Sequence, residues 1–133
     1  MSPIGDCSKG PHGSIGDWDV SAVTDIRSMF SEASAFNQDL SKWDVSAVTA
    51  MGFMFNFASA FNQDLSKWDV SKVTDMENMF LRASAFNHEL RGIAWGHSKA
   101  VKTDMFKGSP GSISAVCTRD KSGKGEDYGL RLG

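Results

Sequence analysis

The sequence predicts an α/β repeat: a short solenoid of about four 25-residue coils, with parallel strands on one face and short helices on the other. Three observations predict it. Trp18, Trp43 and Trp68 fall 25 residues apart, and so do Phe36, Phe61 and Phe86. Residues 33–49 and 58–74 read ASAFNQDLSKWDVSAVT and ASAFNQDLSKWDVSKVT, differing at one position in 17. Within each copy an alternating segment is followed by one with apolar residues at helical spacing. A fixed period of this length points to stacked units that bury a core between neighbours, not to a globule built around one cleft.

Residues 1–14 are rich in Gly, Pro and Ser and carry no repeat signature, so they read as an N-terminal cap or flexible segment. The repeats occupy 15–106. Each opens on I15-G-D-W18-D-V20, L40-S-K-W43-D-V45, L65-S-K-W68-D-V70 or L90-R-G-I93-A-W95, the L-x-x-Φ-x-Φ strand signature of a leucine-rich-repeat-like coil. Alternation puts Trp and Val inside and the intervening Asp outside. The second part, V-T-x-M-x-x-M-F-x-x-A-x-x-F, sets Ile26, Met29, Phe30 and Ala33 at i, i+3, i+4 and i+7. Met51, Met54, Phe55 and Ala58 repeat the spacing, as do Met76, Met79, Phe80 and Ala83. That spacing predicts a short helix, with Thr24, Thr49 and Thr74 as N-caps and Thr74 with Glu77 as a capping box. Each copy closes on Phe-Asn, where the Asn side chain is expected to satisfy turn backbone. In the fourth copy Val101 and Met105 still match inward positions, and the pattern decays around His97, Ser98 and Asp104. Residues 107–133 read as a C-terminal capping strand, with a weak fifth copy at I113-S-A-V116, and a polar tail.

The string FNQDLSKWDVSxVTxMxxMF resembles the BspA-type leucine-rich repeat surface-protein family, in the 25-residue variant first noted in mycoplasma surface lipoproteins. The resemblance covers about residues 15–95. It implies a surface or adhesion protein, at the cell surface or secreted, and brings no catalytic motif with it. The chain departs from the pattern at Ala50, at Gly52 and in the eroded fourth copy.

Composition limits the function classes. A formal net charge of -2 argues against nucleic acid as the main partner. No apolar run approaches the roughly 18 residues of a spanning helix, and the N-terminus lacks a signal-peptide core, which leaves the compartment open. Cys7 and Cys117 flank the repeats and read as two free thiols. His12, His88 and His97 form no zinc spacing, and no nucleophile-elbow, Walker or dinucleotide motif is present. Neither an enzyme nor a cofactor is therefore expected.

Two groups of residues stand out as contacts. Ser28 and Glu32 of copy one become Phe53 and Phe57 in copy two, then Asn78 and Arg82 in copy three. On a helix, Phe53 and Phe57 would share an outward face with polar residues above and below, the pattern of a docking patch that could also serve self-association. The second group is Asp44 and Asp69, in one column with Asp19, beside Lys42 and Lys67. It reads first as a self-compensated polar ladder and second as a ligand or Ca²⁺ surface. The expected function is non-catalytic protein–protein interaction, as a surface/adhesion-like module or a small accessory subunit on a larger assembly. The alternatives are a structural spacer and a calcium- or small-ligand-binding repeat protein.

Overall fold

The computed structural model of the protein describes residues 13–114 and, as backbone, 118–119, 125–126 and 131–132. Cys7, His12, Val116 and Cys117 lie outside the described residues, as do most of the predicted cap and polar tail.

The α/β repeat solenoid with parallel strands and helices does not form. Among the described residues the only α-helix is α1 (Ile93–Gly96), and the only parallel strand pair joins β1 (Glu89–Leu90) to β2 (Ser112–Ser114). Beyond these lie a 3-10 turn at Ile15–Asp17 and three two-residue strands, β3 (Thr118–Arg119), β4 (Gly125–Glu126) and β5 (Arg131–Leu132). β5 pairs antiparallel with β2, and β3 pairs antiparallel with β4. The rest of the described chain is turns and loops.

The predicted helices are instead pairs of tight turns. Met29 N–H donates to Ile26 O, Met54 to Met51 and Met79 to Met76; Ala33, Ala58 and Ala83 donate likewise to Phe30, Phe55 and Phe80. The third residue of every one of these turns has positive φ, between 56° and 62°: Ser28 and Glu32, Phe53 and Phe57, Asn78 and Arg82. That is the backbone of a type II turn and cannot occur inside an α-helix. The intervening N–H groups leave the copy altogether. Ile26, Ser28, Phe30 and Glu32 donate to Ala50, Gly52, Met54 and Asn56, and copies two and three are joined in the same way. Asp25, Ala50, Asp75 and Val101 mark the parallel bridges. Two successive four-residue turns return the chain to one face every four residues. They therefore reproduce the i, i+4 spacing of a helix. The predicted caps have no helix to cap: Thr49 and Thr74 donate through N–H and Oγ1 to the Thr one copy earlier, and Glu77 N–H goes to Asp75 Oδ1.

The predicted strands fail for a second reason. Asp39 and Asp64 accept from the N–H of Ser41 and Ser66, and Asp19, Asp44 and Asp69 from Ser21, Ser46 and Ser71. These Asx-turns bend the backbone at each D-Φ-S, and the bonds Trp43 N–H to Leu40 O and Trp68 N–H to Leu65 O close a further turn. Burial still alternates, with Trp43 and Val45 inside and Asp44 outside.

The core lies where equivalent residues of successive copies meet. Phe30, Phe55, Phe80 and Phe106 stack with centroids 5.6, 5.4 and 5.4 Å apart. Phe36, Phe61 and Phe86 follow at 5.9 and 6.0 Å, and Trp43 lies over Trp68 at 6.4 Å. Three indoles are anchored by their Nε1–H: Trp43 donates to Ile15 O, Trp68 to Leu40 O and Trp95 to Leu65 O. In the fourth copy Trp95 takes the buried place, while Ile93 is 69% exposed. The short α1 holds the two extra residues that this shift requires. Met29 and Val101, expected inward, are 42% and 55% exposed, whereas Met105 is buried. Asn37 and Asn62 do satisfy turn backbone, accepting from the N–H of Asn62 and Asn87.

Candidate docking site on the middle copy

The two turns of copy two carry Phe53 and Phe57 at their corners, with φ of 61° and 58°. This is the left-handed region, which Gly, Asn and Asp enter readily and a bulky side chain does not. The equivalent corners hold Ser28 and Glu32 in copy one, Asn78 and Arg82 in copy three, and Asp104 and Gly108 in copy four. Only copy two puts aromatics there. The corner geometry turns both rings outward, leaving Phe53 39% and Phe57 43% exposed, while their neighbours Met54 and Phe55 are fully buried. The Arg82 guanidinium lies 5.9 Å from the centre of the Phe57 ring.

Beside Phe53 is an open notch of about 490 Å³ lined by Asp25, Arg27, Ser28, Phe53, Asp75 and Glu77. It exists because copy two has Ala50 and Gly52 where its neighbours carry Asp25 and Arg27 on one side, Asp75 and Glu77 on the other. A Cβ at Gly52 would stand 2.8 Å from Asp75 Oδ2 and would push that carboxylate aside. On the first wall Arg27 Nε and Nη2 grip both oxygens of Asp25 at 2.8–3.2 Å. Those bonds hold the Asp25 carboxyl down at about 2. On the opposite wall Asp75 Oδ1 accepts only backbone, from Glu77 N–H at 3.0 Å.

The second group of predicted contacts is arranged differently from the expectation. Asp19, Asp44 and Asp69 do form a column, close enough for each carboxylate to disfavour ionisation of the next. Their compensation comes chiefly from serines, with Lys72 adding to it at Asp69. The hydroxyl and N–H of Ser46 hold Asp44 below the usual carboxylate range, and Ser71 does the same for Asp69. Lys42 is paired with Asp17 at 3.9 Å and not with Asp44, and no ion pair joins Lys67 to Asp69. Lys42 and Lys67 lie two positions before Asp44 and Asp69, on the far side of the buried Trp43 and Trp68. Among the described residues no three His, Cys, Asp or Glu side chains converge to hold a metal.

A smaller recess of about 370 Å³ is lined by Val73, Ile93, Ala94 and His97, with Ser71, Thr74, Ser98 and Lys99 at its edge. The Ser98 hydroxyl there accepts from Ala100 N–H. No described helix is long and apolar enough to cross a membrane.

Sequence reasoning singles out Phe53 and Phe57, which are exposed, but not the notch. Its signal was present: Ala50 and Gly52 depart from the repeat together, two residues apart, as side chains on one face of a ladder strand must.

No curated protein and no solved structure matches the chain. A family model does match, over residues 4–115, and its description is "Mycoplasma protein of unknown function, DUF285". The aromatic stacks, Asx-turns and corner turns described above all lie inside that span, and the chain belongs to this family.

Proposed function

We propose that the protein is a non-catalytic protein–protein interaction module that docks through the Phe53/Phe57 face of its middle copy. The observation that carries this reading is the pair of exposed aromatic rings held at left-handed corners. Each corner costs of the order of 1–2 kcal/mol for a side chain with a Cβ, and three of the six corners in the other copies relieve it with Asn, Asp or Gly. Exposed apolar rings rimmed by polar residues are the composition of an interface core. The resemblance of FNQDLSKWDVSxVTxMxxMF to BspA-type surface proteins supports a surface or adhesion setting; an accessory subunit on a larger assembly fits the same face.

The test is the double variant Phe53→Ser/Phe57→Ser. Both positions are exposed corners, so the fold should persist by circular dichroism and thermal melting. Self-association in sedimentation velocity and partner capture from the source organism should both fall. If neither changes while the variant stays folded, this reading is wrong.

A further inference from the structure

Two aromatic corners on one copy differ in what faces them. Phe57 is met by the chain's own Arg82 guanidinium. Phe53 has the uncharged Asn78 in the equivalent position of the next copy, and it lines the notch with Asp75 and Glu77. The notch walls carry three carboxylates against one guanidinium, which is bonded to Asp25 and feels Asp75 only at longer range. No ion pair engages Asp75 or Glu77 among the described residues. Asp75 Oδ2 stands over Gly52, which has no side chain to fill that part of the notch.

We propose that this notch receives an arginine side chain of the docking partner, its guanidinium lying against the Phe53 ring and bonded to Asp75 and Glu77. The occupant follows from charge complementarity and shape. A guanidinium has a planar face for the ring and a fork of donors for carboxylates, whereas an ammonium offers only a point charge. The chain supplies the same pairing internally at Phe57 with Arg82, and Phe53 is the aromatic corner left for a cation from outside. The proposal rests on the docking reading and names the partner's chemistry at one position of that face.

The experiment is an amide NMR titration of the full chain with tetra-arginine, with tetralysine, tetraglutamate and CaCl₂ as separate arms. Tetra-arginine should shift the Gly52, Phe53 and Glu77 amides more than those of the Asp19/Asp44/Asp69 column, and should bind more tightly than tetralysine. Asp75→Asn and Glu77→Gln, which preserve shape, should each weaken binding about two- to fivefold, as should Phe53→Ser. Asp39→Asn, outside the notch, should leave it unchanged. Shifts spread evenly over all acidic columns, unchanged affinity in Asp75→Asn/Glu77→Gln, or equal local shifts with CaCl₂ would each overturn the proposal. If those carboxylate variants bind normally while Phe53→Ser/Phe57→Ser abolishes partner capture, the arginine assignment fails and the docking face stands. Loss of neither overturns both.

Discussion

At the scale of single residues, the corner positions are the most informative. Among the described residues seven non-glycine residues have positive φ, and six of them are the corners of the first three copies. For Asn78 such a φ is ordinary, since its short polar side chain bonds locally; for Phe53 it is an outlier with a cost. Phe53→Asn copies what the third copy already uses. We expect it to stabilise the protein by about 1 kcal/mol, read from the shift in urea midpoint at constant m-value. A stabilising change that also lowers partner capture would separate what the ring does for docking from what it costs the fold. Phe57→Asn should gain less, because it also removes the contact with Arg82, worth about 0.5–1 kcal/mol at an exposed site.

At the scale of the element, the unit is one 25-residue copy, and its turns are held by what lies on either side of it. Phe61 is covered by Phe36 and Phe86 at 5.9 and 6.0 Å and by Phe55 at 4.0 Å. Phe61→Ala should therefore cost about 3–5 kcal/mol, measured by thermal or urea unfolding, since a cavity there is walled by rings that cannot move inward without losing their own stacks. Much of the element was legible in the sequence. Of the residues placed on the inner face, Trp43, Trp68, Met51, Met54, Phe55, Met76, Met79 and Phe80 are all buried. The conformation that buries them is not legible there, because apolar residues at i, i+3, i+4 and i+7 fit a helix and a pair of four-residue turns equally well. The D-Φ-S triplets, each an Asx-turn, were the signal against a strand.

At the scale of the molecule, surface carboxylates tie the turns together. Asp25 is held down at about 2 by its bonds to Arg27, and Asp19, Asp39, Asp44 and Asp69 are lowered chiefly by hydrogen bonds from serine two residues on. A carboxyl lowered on folding adds stability that is present above its unfolded value of 3.8 and lost as pH falls through its folded value. Stability should hold from neutral pH to about 5 and then decline between about pH 4 and pH 2, followed by urea melts across that range. These groups are exposed, so the loss should be gradual and the sum of small steps. A flat profile over that range would mean that the Asx-turn bonds are exchanged for water at no cost.

The sequence by itself determined the 25-residue period, the buried set of Trp, Phe, Met and Val, and the place where the repeat is broken at Phe53 and Phe57. All three depend on which residues recur, and recurrence is read directly. Only the tertiary structure decided the backbone conformation and the existence of the notch. In a helix each N–H is satisfied within its own segment; here every second N–H is satisfied by the next copy, and that partner lies 24 or more residues away. A local pattern contains no record of such a bond. The notch likewise needs Asp25 and Asp75 to stand on either side of Ala50, a neighbourhood that exists only once the copies are in register.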